Sequence, residues 1–341
     1  MKKTEYSSTM NMSPLQADDH ILCNFDFLQV DKMIGNLKRA QGQPANLSEE
    51  IFAHVDAIIG MTAFGSVYGS EQFRHKKHFQ HVLDEAMDMM ASFSAEDFFP
   101  NAAGRLVDRL SGMEARRERC FHELDGFFQM VIDQHLDPAR PRPEQGGGDL
   151  VDALIAVWKE QKDCMAFDQE NIKGMILDTF LGGVDTSSVT LIWAMSELIR
   201  SPTVLAKAQN ELRQVLGRRR RVEPDDLPKL SYLKMVVKEA LRLHPPASLL
   251  LPRETVRATS IGGYDVEAGT RIFVNVWAIG RDPESWDKPD EFSLANLLYC
   301  FDWTLPEGMK TEDVSMEEEG GLSFHKKVPL YLVPIRYKWH D

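Results

Sequence analysis

Cysteine is scarce in this 341-residue chain, which contains four: Cys23, Cys120, Cys164 and Cys300. They form no Cys-x-x-Cys pair, so they exclude a disulfide-stapled secreted fold and predict free thiols in a reducing compartment. Basic residues are also few, because 39 Lys and Arg stand against 52 Asp and Glu and give a formal net charge of -13. Covering a nucleic-acid backbone needs a basic face, so no nucleic-acid partner is expected.

Long apolar runs are missing as well. No stretch reaches the ~18 apolar residues that a membrane helix needs, and the basic start MKKTEY is not followed by the apolar core of a signal peptide. The sequence also lacks the Gly-x-Ser-x-Gly, Walker, His-Glu-x-x-His and Rossmann patterns, so it offers no support for a hydrolase, an NTPase or a dehydrogenase. With 43% hydrophobic and 27% charged residues, the chain is expected to fold as a soluble protein with a sizeable core.

The hydrophobic periodicity predicts a mainly α fold with a small β component near the C-terminus. Residues 138–149 (PARPRPEQGGGD) predict a flexible loop within a single domain over 1–341. Alternating residues predict short strands over 255–276 and a final hairpin over 322–336, with Pro329 and Pro334 at its edges. Apolar residues at helical spacing predict a helix opening at Ser48 and others over 114–136, 150–160, 168–200, 204–216 and 232–243.

The longest predicted helix, from Asp168 to Arg200, contains an unusual break. Gly182 and Gly183 lie in its middle, and Asp185 and Thr186 follow at once. Each glycine lowers helix stability by about 1 kcal/mol relative to alanine. The Thr186 hydroxyl can also donate a hydrogen bond to the Gly182 carbonyl, four residues back, and open the helix. Two interpretations stay open: tight helix–helix packing with a solvent-facing aspartate, or a backbone exposed to a flat ligand that the Asp-Thr pair faces.

A second element combines a charged pair with a chain reversal. Glu239 and Arg242 lie three residues apart on one predicted helix face, a spacing that is common on solvated helices and weak evidence by itself. The sequence LHPP then ends the helix, and LLLPRET follows.

Four motifs occur together in a specific order. They are the glycine-broken helix with Val184-Asp185-Thr186, then KEALRLHPP, PRET and WAIGRDPESWDKPDEF. This combination resembles the cytochrome P450 family, and most of all its plant microsomal members. The upstream NLSEEIF and AFGSVYG and the tail GGLSFHKKVPLYLVP extend the resemblance. It implies a P450-like helical fold, a haem cofactor, an apolar small-molecule substrate that receives one oxygen atom from dioxygen, and an NADPH-dependent flavoprotein reductase as electron donor.

The resemblance also implies residue roles. Asp185 and Thr186 correspond to the acid–alcohol pair that delivers protons during oxygen activation. Gly182 and Gly183 would line the haem face, and Arg253 would reach a haem propionate. Further residues are assigned to a buried structural pair, Glu239 and Arg242, and to the substrate pocket: Phe180, Leu181, Val184, Ala247, Leu249 and Leu250.

The chain departs from the family pattern after Phe292. In the family an arginine and a glycine-rich loop with the iron-ligating cysteine come next, whereas here Ser293 leads directly into LANLL, which resembles the helix beyond that loop. We therefore expect a deletion junction at about 292–294 and no metal ligand from this chain. Cys300, in the apolar stretch LLYCFDW that we interpret as helix, is expected to be a buried small hydrophobe.

This departure bears directly on activity, because the thiolate favours O–O cleavage. We expect a family member that is inactive as this chain; the alternative is a non-catalytic truncated isoform or pseudogene product, with or without a binding role. The family's membrane anchor has no counterpart before about Gln29. The resemblance thus implies the cytosolic face of the endoplasmic reticulum if an anchor is present, and the cytoplasm if the chain is complete.

Three histidines, His75, His78 and His81, fall near one side of a predicted helix. They could hold a metal ion in principle, but histidines at helical spacing in a charged segment are weak evidence for a metal site. A solvated helix face is therefore the favoured interpretation.

Overall fold

The computed structural model of the protein describes residues 19–65, 68, 76–92, 94–140, 148–160, 167–217, 219, 222, 224–285 and 301–337. Across these residues the fold is mainly α with short strands, as predicted. The α-helices are α1 (Asp19–Arg39), α2 (Leu47–Phe64), α3 (Lys76–Ala91), α4 (Ala95–Phe98), α5 (Ala102–Leu110), α6 (Met113–Leu136), α7 (Leu150–Glu160), α8 (Gln169–Phe180), α9 (Thr186–Arg200), α10 (Pro202–Leu216), α11 (Ser231–Leu243) and α12 (Val276–Ile279).

The strands are short and mostly follow the helices. They are β1 (Ala45–Asn46), β2 (Arg253–Glu254), β3 (Thr259–Ile261), β4 (Tyr264–Val266), β5 (Arg271–Ile272), β6 (Phe301–Thr304), β7 (Glu318–Glu319), β8 (His325–Lys326) and β9 (Tyr331–Arg336). A π-helical segment, Leu181–Asp185, lies between α8 and α9.

Two compact units divide the chain. Unit 1 comprises Met1–Asp31, Asp56–Ala86 and Phe93–Leu181, and unit 2 comprises Lys32–Val55, Met87–Ser92 and Gly182–Asp341. The single domain over 1–341 stays a prediction.

An aromatic cluster forms the core of unit 1. Phe180, at the end of α8, is 1% exposed and stacks on Phe64 with ring centroids 5.0 Å apart. Phe79 meets Phe180 edge-on at 5.2 Å and stacks on Phe127 of α6 at 4.0 Å. Because aromatic burial contributes most per residue to a core, this cluster anchors the helices of unit 1.

Several predicted helices are confirmed with nearly the same bounds. The helix predicted over 150–160 is α7, and that over 114–136 is α6 with one more residue at its start. Asp168 caps α8, as predicted: its side chain accepts from the backbone amide of Asn171, and the Asn171 side chain accepts from the Asp168 amide. This capping box satisfies two amides that the first helical turn leaves unpaired.

The predicted loop over 138–149 is held at both flanks, while its residues 141–147 lie outside the described part of the chain. His135, near the end of α6, contacts the Val131 carbonyl through Nδ1 at 2.7 Å and Asp149 Oδ2 through Nε2 at 3.0 Å. Arg140 also bonds Asp149 Oδ2, at 2.7 Å. These contacts join the end of α6 to the start of α7.

The short strands predicted over 255–276 are confirmed. β3 pairs antiparallel with β4 through a tight turn at Gly262 and Gly263, whose φ angles are +60° and +87°. Two consecutive positive φ angles belong to the turn type that matches strand twist, and glycine adopts them without steric cost. β2 pairs with β5, with Arg253 opposite Ile272.

The final hairpin predicted over 322–336 is wrong. β8 pairs with β7, whereas β9 is the central strand of a separate sheet of order β1-β9-β6, with Ala45 opposite Leu332 and Thr304 opposite Val333. Pro334, expected at an edge, lies inside β9 opposite Trp303. The physical reason is burial: Leu332, opposite Ala45 of β1, is fully buried, and β6 pairs with the following residues of β9, 333–336.

The helix predicted through LLYCFDW is also wrong where the structure describes it. Phe301 and Trp303 belong to strand β6, and both are buried while Asp302 between them is partly exposed. This period of two suits a strand covered on one face. Cys300 and the predicted junction at 292–294 lie outside the described residues.

Candidate functional site

The break in the long helix is a π-helical opening. The Thr186 hydroxyl donates to the Gly182 carbonyl at 2.5 Å, the hydrogen bond that the sequence suggested. A hydroxyl that bonds the carbonyl four residues back competes with the backbone ladder and bends the helix. A Cβ at Gly182 would meet nothing within 4 Å, and no residue of Leu181–Asp185 is buried. The segment therefore presents open backbone, which is typical of functional sites.

Asp185 is the charged group of this opening. Its Oδ1 lies 3.0 Å from Nε2 of His325, on β8, and its side chain is 17% exposed. Its Oδ2 is buried and finds no hydrogen-bond partner among the described residues. The His325 ring in turn lies parallel to Phe52, 5° between planes and 5.9 Å between centroids. Among the described residues, one carboxylate oxygen of Asp185 is thus paired and the other is not.

His325 is a site residue that sequence reasoning missed. The motif SFHKK was noted only as part of the tail that resembles the family, and 140 positions separate His325 from Asp185. No local pattern indicates a contact over that distance.

The Glu239–Arg242 pair is bidentate. Arg242 Nε donates to Glu239 Oε2 at 2.8 Å and Arg242 Nη2 to Glu239 Oε1 at 2.5 Å, with the two side chains 6% and 27% exposed, arginine first. Arg242 Nη1 also donates to the carbonyl of Gly280. A Cβ at Gly280 would lie 2.5 Å from the Arg242 carbonyl oxygen, so glycine allows this close approach. The pair therefore joins α11 to the end of α12.

The turn assigned to the substrate pocket carries backbone strain. Leu250 has a φ of +53°, and its amide donates to the Ala247 carbonyl at 3.0 Å. A left-handed conformation costs a residue with a side chain energy that the surrounding structure has to offset. Leu249 is 46% exposed, and its carbonyl accepts from Val274 at 3.2 Å. Arg253 lies three residues beyond Leu250, exposed, in β2.

The remaining assigned pocket residues lie in different surroundings. Phe180 is buried in the aromatic cluster of unit 1, whereas Leu181 is partly exposed. In unit 2, Val184 and Ala247 are partly exposed. Their roles in substrate binding stay predictions.

His244, in the LHPP motif, is a second residue that the sequence reasoning passed over. Its ring stacks on Trp193 of α9, with centroids 4.3 Å apart and 2° between planes, and its Nε2 lies 2.9 Å from Glu197. Trp193 also donates its indole N–H to the Phe324 carbonyl at 2.9 Å. These contacts fix α9, the end of α11 and the segment before β8 inside unit 2.

The haem that the resemblance implies fits these residues only in part. Open space at Gly182 suits the close approach of a flat group. The axial donor does not fit: among the described side chains the free cysteine is Cys120, buried in α6 of unit 1, where its thiol donates to the Val82 carbonyl. Burial raises the pKa of that thiol, which keeps it protonated and unable to ligate iron.

The histidine cluster shows no metal-binding geometry in the described part of α3. His78 Nε2 lies 2.9 Å from Glu123, His81 is exposed, and His75 lies outside the described residues. His135, Asp149 and Asp152 also lie close enough to share an ion. Arg140 pairs with both of these aspartates, so the trio belongs to an ion-pair network.

Comparisons with known proteins agree with the motifs. The family model described as Cytochrome P450 matches residues 28–299. A 4-hydroxyphenylacetaldehyde oxime monooxygenase of Sorghum bicolor is 55% identical, over 91% of this chain and 66% of the relative. A 2-methylbutanal oxime monooxygenase of Manihot esculenta is 39% identical, over 91% of this chain and 68% of the relative. The chain thus spans about two thirds of the length of the curated relatives it matches.

The alignment with the Sorghum bicolor protein also contains a gap. It runs over 354 positions but takes in 91% of this 341-residue chain, about 310 residues, so about 44 positions have no counterpart here.

A solved zebrafish cytochrome P450, in a structure with progesterone, matches the fold. It has a TM-score of 0.78 at 20% sequence identity, over 95% of this chain and 79% of that chain. Fold, family model and curated relatives agree, and the chain belongs to the cytochrome P450 family, whose cofactor is haem.

Proposed function

We propose that this protein derives from a plant monooxygenase of aldoximes and that the chain, with the sequence it has, does not complete that reaction. The proposed substrate class is supported by two oxime monooxygenases among its relatives, one named for an aromatic oxime and one for an aliphatic oxime. The higher identity, 55%, is to the enzyme of the aromatic oxime, so the substrate class is an aldoxime with an aromatic side chain. These relatives favour a catalytic ancestry over a binding module.

Asp185 and Thr186 are the residues we assign to proton delivery. The Thr186 hydroxyl donates a hydrogen bond to the Gly182 carbonyl. The lone pairs of the Thr186 oxygen can therefore accept a hydrogen bond from a ligand. Asp185 is held by His325 through Oδ1, and its Oδ2 has no hydrogen-bond partner among the described residues. Gly182, Gly183 and Arg253 are the residues we assign to contacts with the cofactor, and Ala247, Leu249 and Leu250 to the substrate.

The inactivity of this chain rests on the missing thiolate. No cysteine of the sequence lies in a glycine-rich loop after Phe292, and about 44 positions of the Sorghum bicolor relative have no counterpart here. We infer that the ligand loop is part of this deficit. A cysteine thiolate would supply the electron donation that favours O–O cleavage, and this chain lacks the loop that would provide it, even though Asp185 and Thr186 are retained.

The partners and location follow from the family. We propose an NADPH-dependent flavoprotein reductase as the electron donor and the cytosolic face of the endoplasmic reticulum as the site of the complete enzyme. Within the described residues one helical run, Gln169–Arg200, is long and apolar enough to cross a membrane by length and composition alone. Core helices pass the same criterion, and α9 buries residues such as Ile192, Trp193 and Leu198 inside unit 2.

The test compares this chain with a loop-restored chain, in which Phe292 is joined to Leu294 through the corresponding stretch of the Sorghum bicolor relative. This chain should give no thiolate-type Soret band in its reduced carbon monoxide complex, and the loop-restored chain should bind haem and give one. A thiolate-type band from the unmodified chain would refute its inactivity.

Substrate class is measured separately on the loop-restored chain. Addition of 4-hydroxyphenylacetaldehyde oxime should shift the Soret band, and NADPH consumption with a reductase is then measured on a chimera that also carries the relative's N-terminal part. A normal carbon monoxide complex that responds to no aldoxime would reject the substrate class and leave the thiolate argument standing. Asp185→Asn in that chimera should retain the haem and slow NADPH consumption by about 100-fold or more.

A further inference from the structure

The backbone at His325 is held in place through its neighbour Phe324. The Phe324 amide donates to the Pro246 carbonyl at 3.1 Å, and the Phe324 carbonyl accepts the indole N–H of Trp193 at 2.9 Å. His325 itself starts β8, where it pairs with Glu319 of β7. These contacts fix the backbone position of His325 in unit 2, so the direction of its side chain is what remains to be set.

Close packing alone does not set the direction of the His325 ring. The side chain is 39% exposed and borders a cavity of about 300 Å³. Two contacts orient it instead. The ring lies parallel to Phe52 of α2, with centroids 5.9 Å apart, and its Nε2 lies 3.0 Å from Asp185 Oδ1. The first contact sets the plane of the ring, and the second sets which edge of the ring faces Asp185.

The same contact matters for Asp185, because Asp185 lies where the helix is open. It is the last residue of the π-helical segment, none of whose residues is buried. Its Oδ1 is paired with His325, and its Oδ2 has no hydrogen-bond partner among the described residues. An ionised carboxylate only accepts hydrogen bonds, so Nε2 of His325 carries a proton and donates the hydrogen bond. Within the described part of the chain, this hydrogen bond is therefore the polar contact that directs the Asp185 side chain.

We propose that His325 is the positioning residue of Asp185: its Nε2–H hydrogen bond, and not the packing of its ring, fixes the direction of the carboxylate for proton delivery. This rests on the proposed function, in which Asp185 and Thr186 deliver protons. Proton transfer depends steeply on the distance and angle between donor and acceptor, so an acid on an open helical segment gains from a partner that holds one of its oxygens. His325 acts through Asp185 alone.

Other charged groups also surround the His325 ring. Glu49 of α2 and Lys326 of β8 line the same cavity, and Glu319 is the residue opposite on β7. Glu49 and Glu319 are exposed, so water screens their charges, whereas the Asp185 side chain is 17% exposed and in direct contact with the ring. A negative charge in contact with a histidine stabilises its protonated form. Asp185 is therefore the carboxylate expected to shift the titration of His325.

The first experiment uses the full-length chain, without a cofactor, and measures histidine ring titrations by nuclear magnetic resonance; His325→Gln identifies the signal. The titration midpoint of His325 should be lower in Asp185→Asn than in the parent, because the negative charge in contact with the ring is lost. Glu319→Gln is the matched control and should shift the midpoint less, and the exposed His122 of α6 should titrate alike in all variants. Equal midpoints of His325 in the parent and in Asp185→Asn would overturn the proposal.

The second experiment separates the hydrogen bond from the packing of the ring, in the chimera that carries the ligand loop and the relative's N-terminal part. His325→Gln keeps a side-chain N–H donor and loses the ring, whereas His325→Phe keeps a ring against Phe52 and loses the donor. Positioning by the hydrogen bond predicts that His325→Phe lowers kcat for NADPH consumption about tenfold with an unchanged KM for the oxime, and that His325→Gln stays within about threefold of the parent. A His325→Phe rate equal to that of the parent, or a His325→Gln rate below that of His325→Phe, would contradict positioning by the hydrogen bond.

Failure of the proposed function and failure of the role of His325 give different results. NADPH consumption that responds to no aldoxime would reject the substrate class. The basal NADPH consumption of the chimera, which also takes up protons as dioxygen is reduced, would then give the order of the two His325 variants. The titration of His325 depends on neither result, because it is measured on the full-length chain.

Discussion

Helix α8 and the π-helical segment that follows it differ in how far their residues are buried. α8 starts at a capping box and buries Ile172, Ile176 and Phe180 on one face. No residue of Leu181–Asp185 is fully buried, and this segment contains two glycines and is opened by a hydroxyl that bonds the Gly182 carbonyl. In α8 side-chain packing stabilises the helix, whereas the next five residues keep their backbone accessible.

This contrast explains how one helical run can serve both stability and chemistry. Local stability varies along a structure, and binding sites come from its less stable parts. Each of the two glycines lowers helix stability by about 1 kcal/mol relative to alanine, and the packed residues on either side offset that loss.

The largest effect is expected at the packed end of α8. Phe180→Ala removes a ring that is 1% exposed and contacts Phe64 and Phe79, and it should lower the free energy of unfolding by about 3–5 kcal/mol. Urea denaturation followed by circular dichroism measures this. Phe121→Ala, on α6 with 61% of its side chain exposed, is the matched control and should change stability by less than about 0.5 kcal/mol. Similar values for the two variants would show that the aromatic cluster does not hold unit 1 together.

The next effect extends the contrast to a second packed helix, in unit 2. Arg242→Ala leaves Glu239 without its bidentate partner and the Gly280 carbonyl without its donor. Breaking a fully buried pair costs about 3–5 kcal/mol, and Glu239 keeps a quarter of its side chain in water, so about 2–3 kcal/mol is expected. Thermal melting checks this against Lys238→Ala, an exposed position on the same helix. An Arg242→Ala protein that melts like Lys238→Ala would make the pair a surface feature.

A smaller effect is expected at the start of α8. Asp168→Ala removes the acceptor for the Asn171 amide and should cost about 1 kcal/mol, while Asp168→Asn retains a capping side chain and should cost a few tenths at most. Denaturation midpoints of the two variants give the comparison. Equal losses would mean that charge at the helix start, and not the cap, is what stabilises it.

The smallest effect compares the two regions directly. Gly174 in α8 and Gly182 in the π-helical segment both have open space where a Cβ would go. Gly174→Ala should therefore stabilise the protein by about 0.5–1 kcal/mol, and Gly182→Ala by less, because the opened helix gains less from alanine. In the loop-restored chain Gly182→Ala should also weaken haem binding, and Gly174→Ala should not. If Gly182→Ala binds haem as well as the parent does, Gly182 does not line the cofactor.

Sequence reasoning succeeded where the determinants are local. The bounds of α7, the cap at Asp168 and the hydrogen bond from Thr186 to Gly182 each depend on residues within one or two helical turns. The resemblance supplied the family, because four motifs in register are specific even when each alone is weak.

It failed where distant segments decide. β9 was assigned to a hairpin with its neighbour, but its partners come from residues 45–46 and 301–304. The contacts of Asp185 with His325 and of Trp193 with the Phe324 carbonyl also join segments more than 130 positions apart. In each case the partner is chosen by burial and by the path of the chain, which no short pattern encodes.

The pairing of Ala45 with Leu332 has a kinetic consequence. Closing a loop of that length costs chain entropy before any contact in it forms, and proteins rich in distant contacts fold slowly for this reason. During synthesis β1 leaves the ribosome long before its partner strand β9 exists. The helices of unit 1 can therefore form first, while Ala45–Asn46 stays unpaired until β9 has been synthesised. The three-stranded sheet can therefore assemble only after β9 has been synthesised, and unit 2 is incomplete until it does.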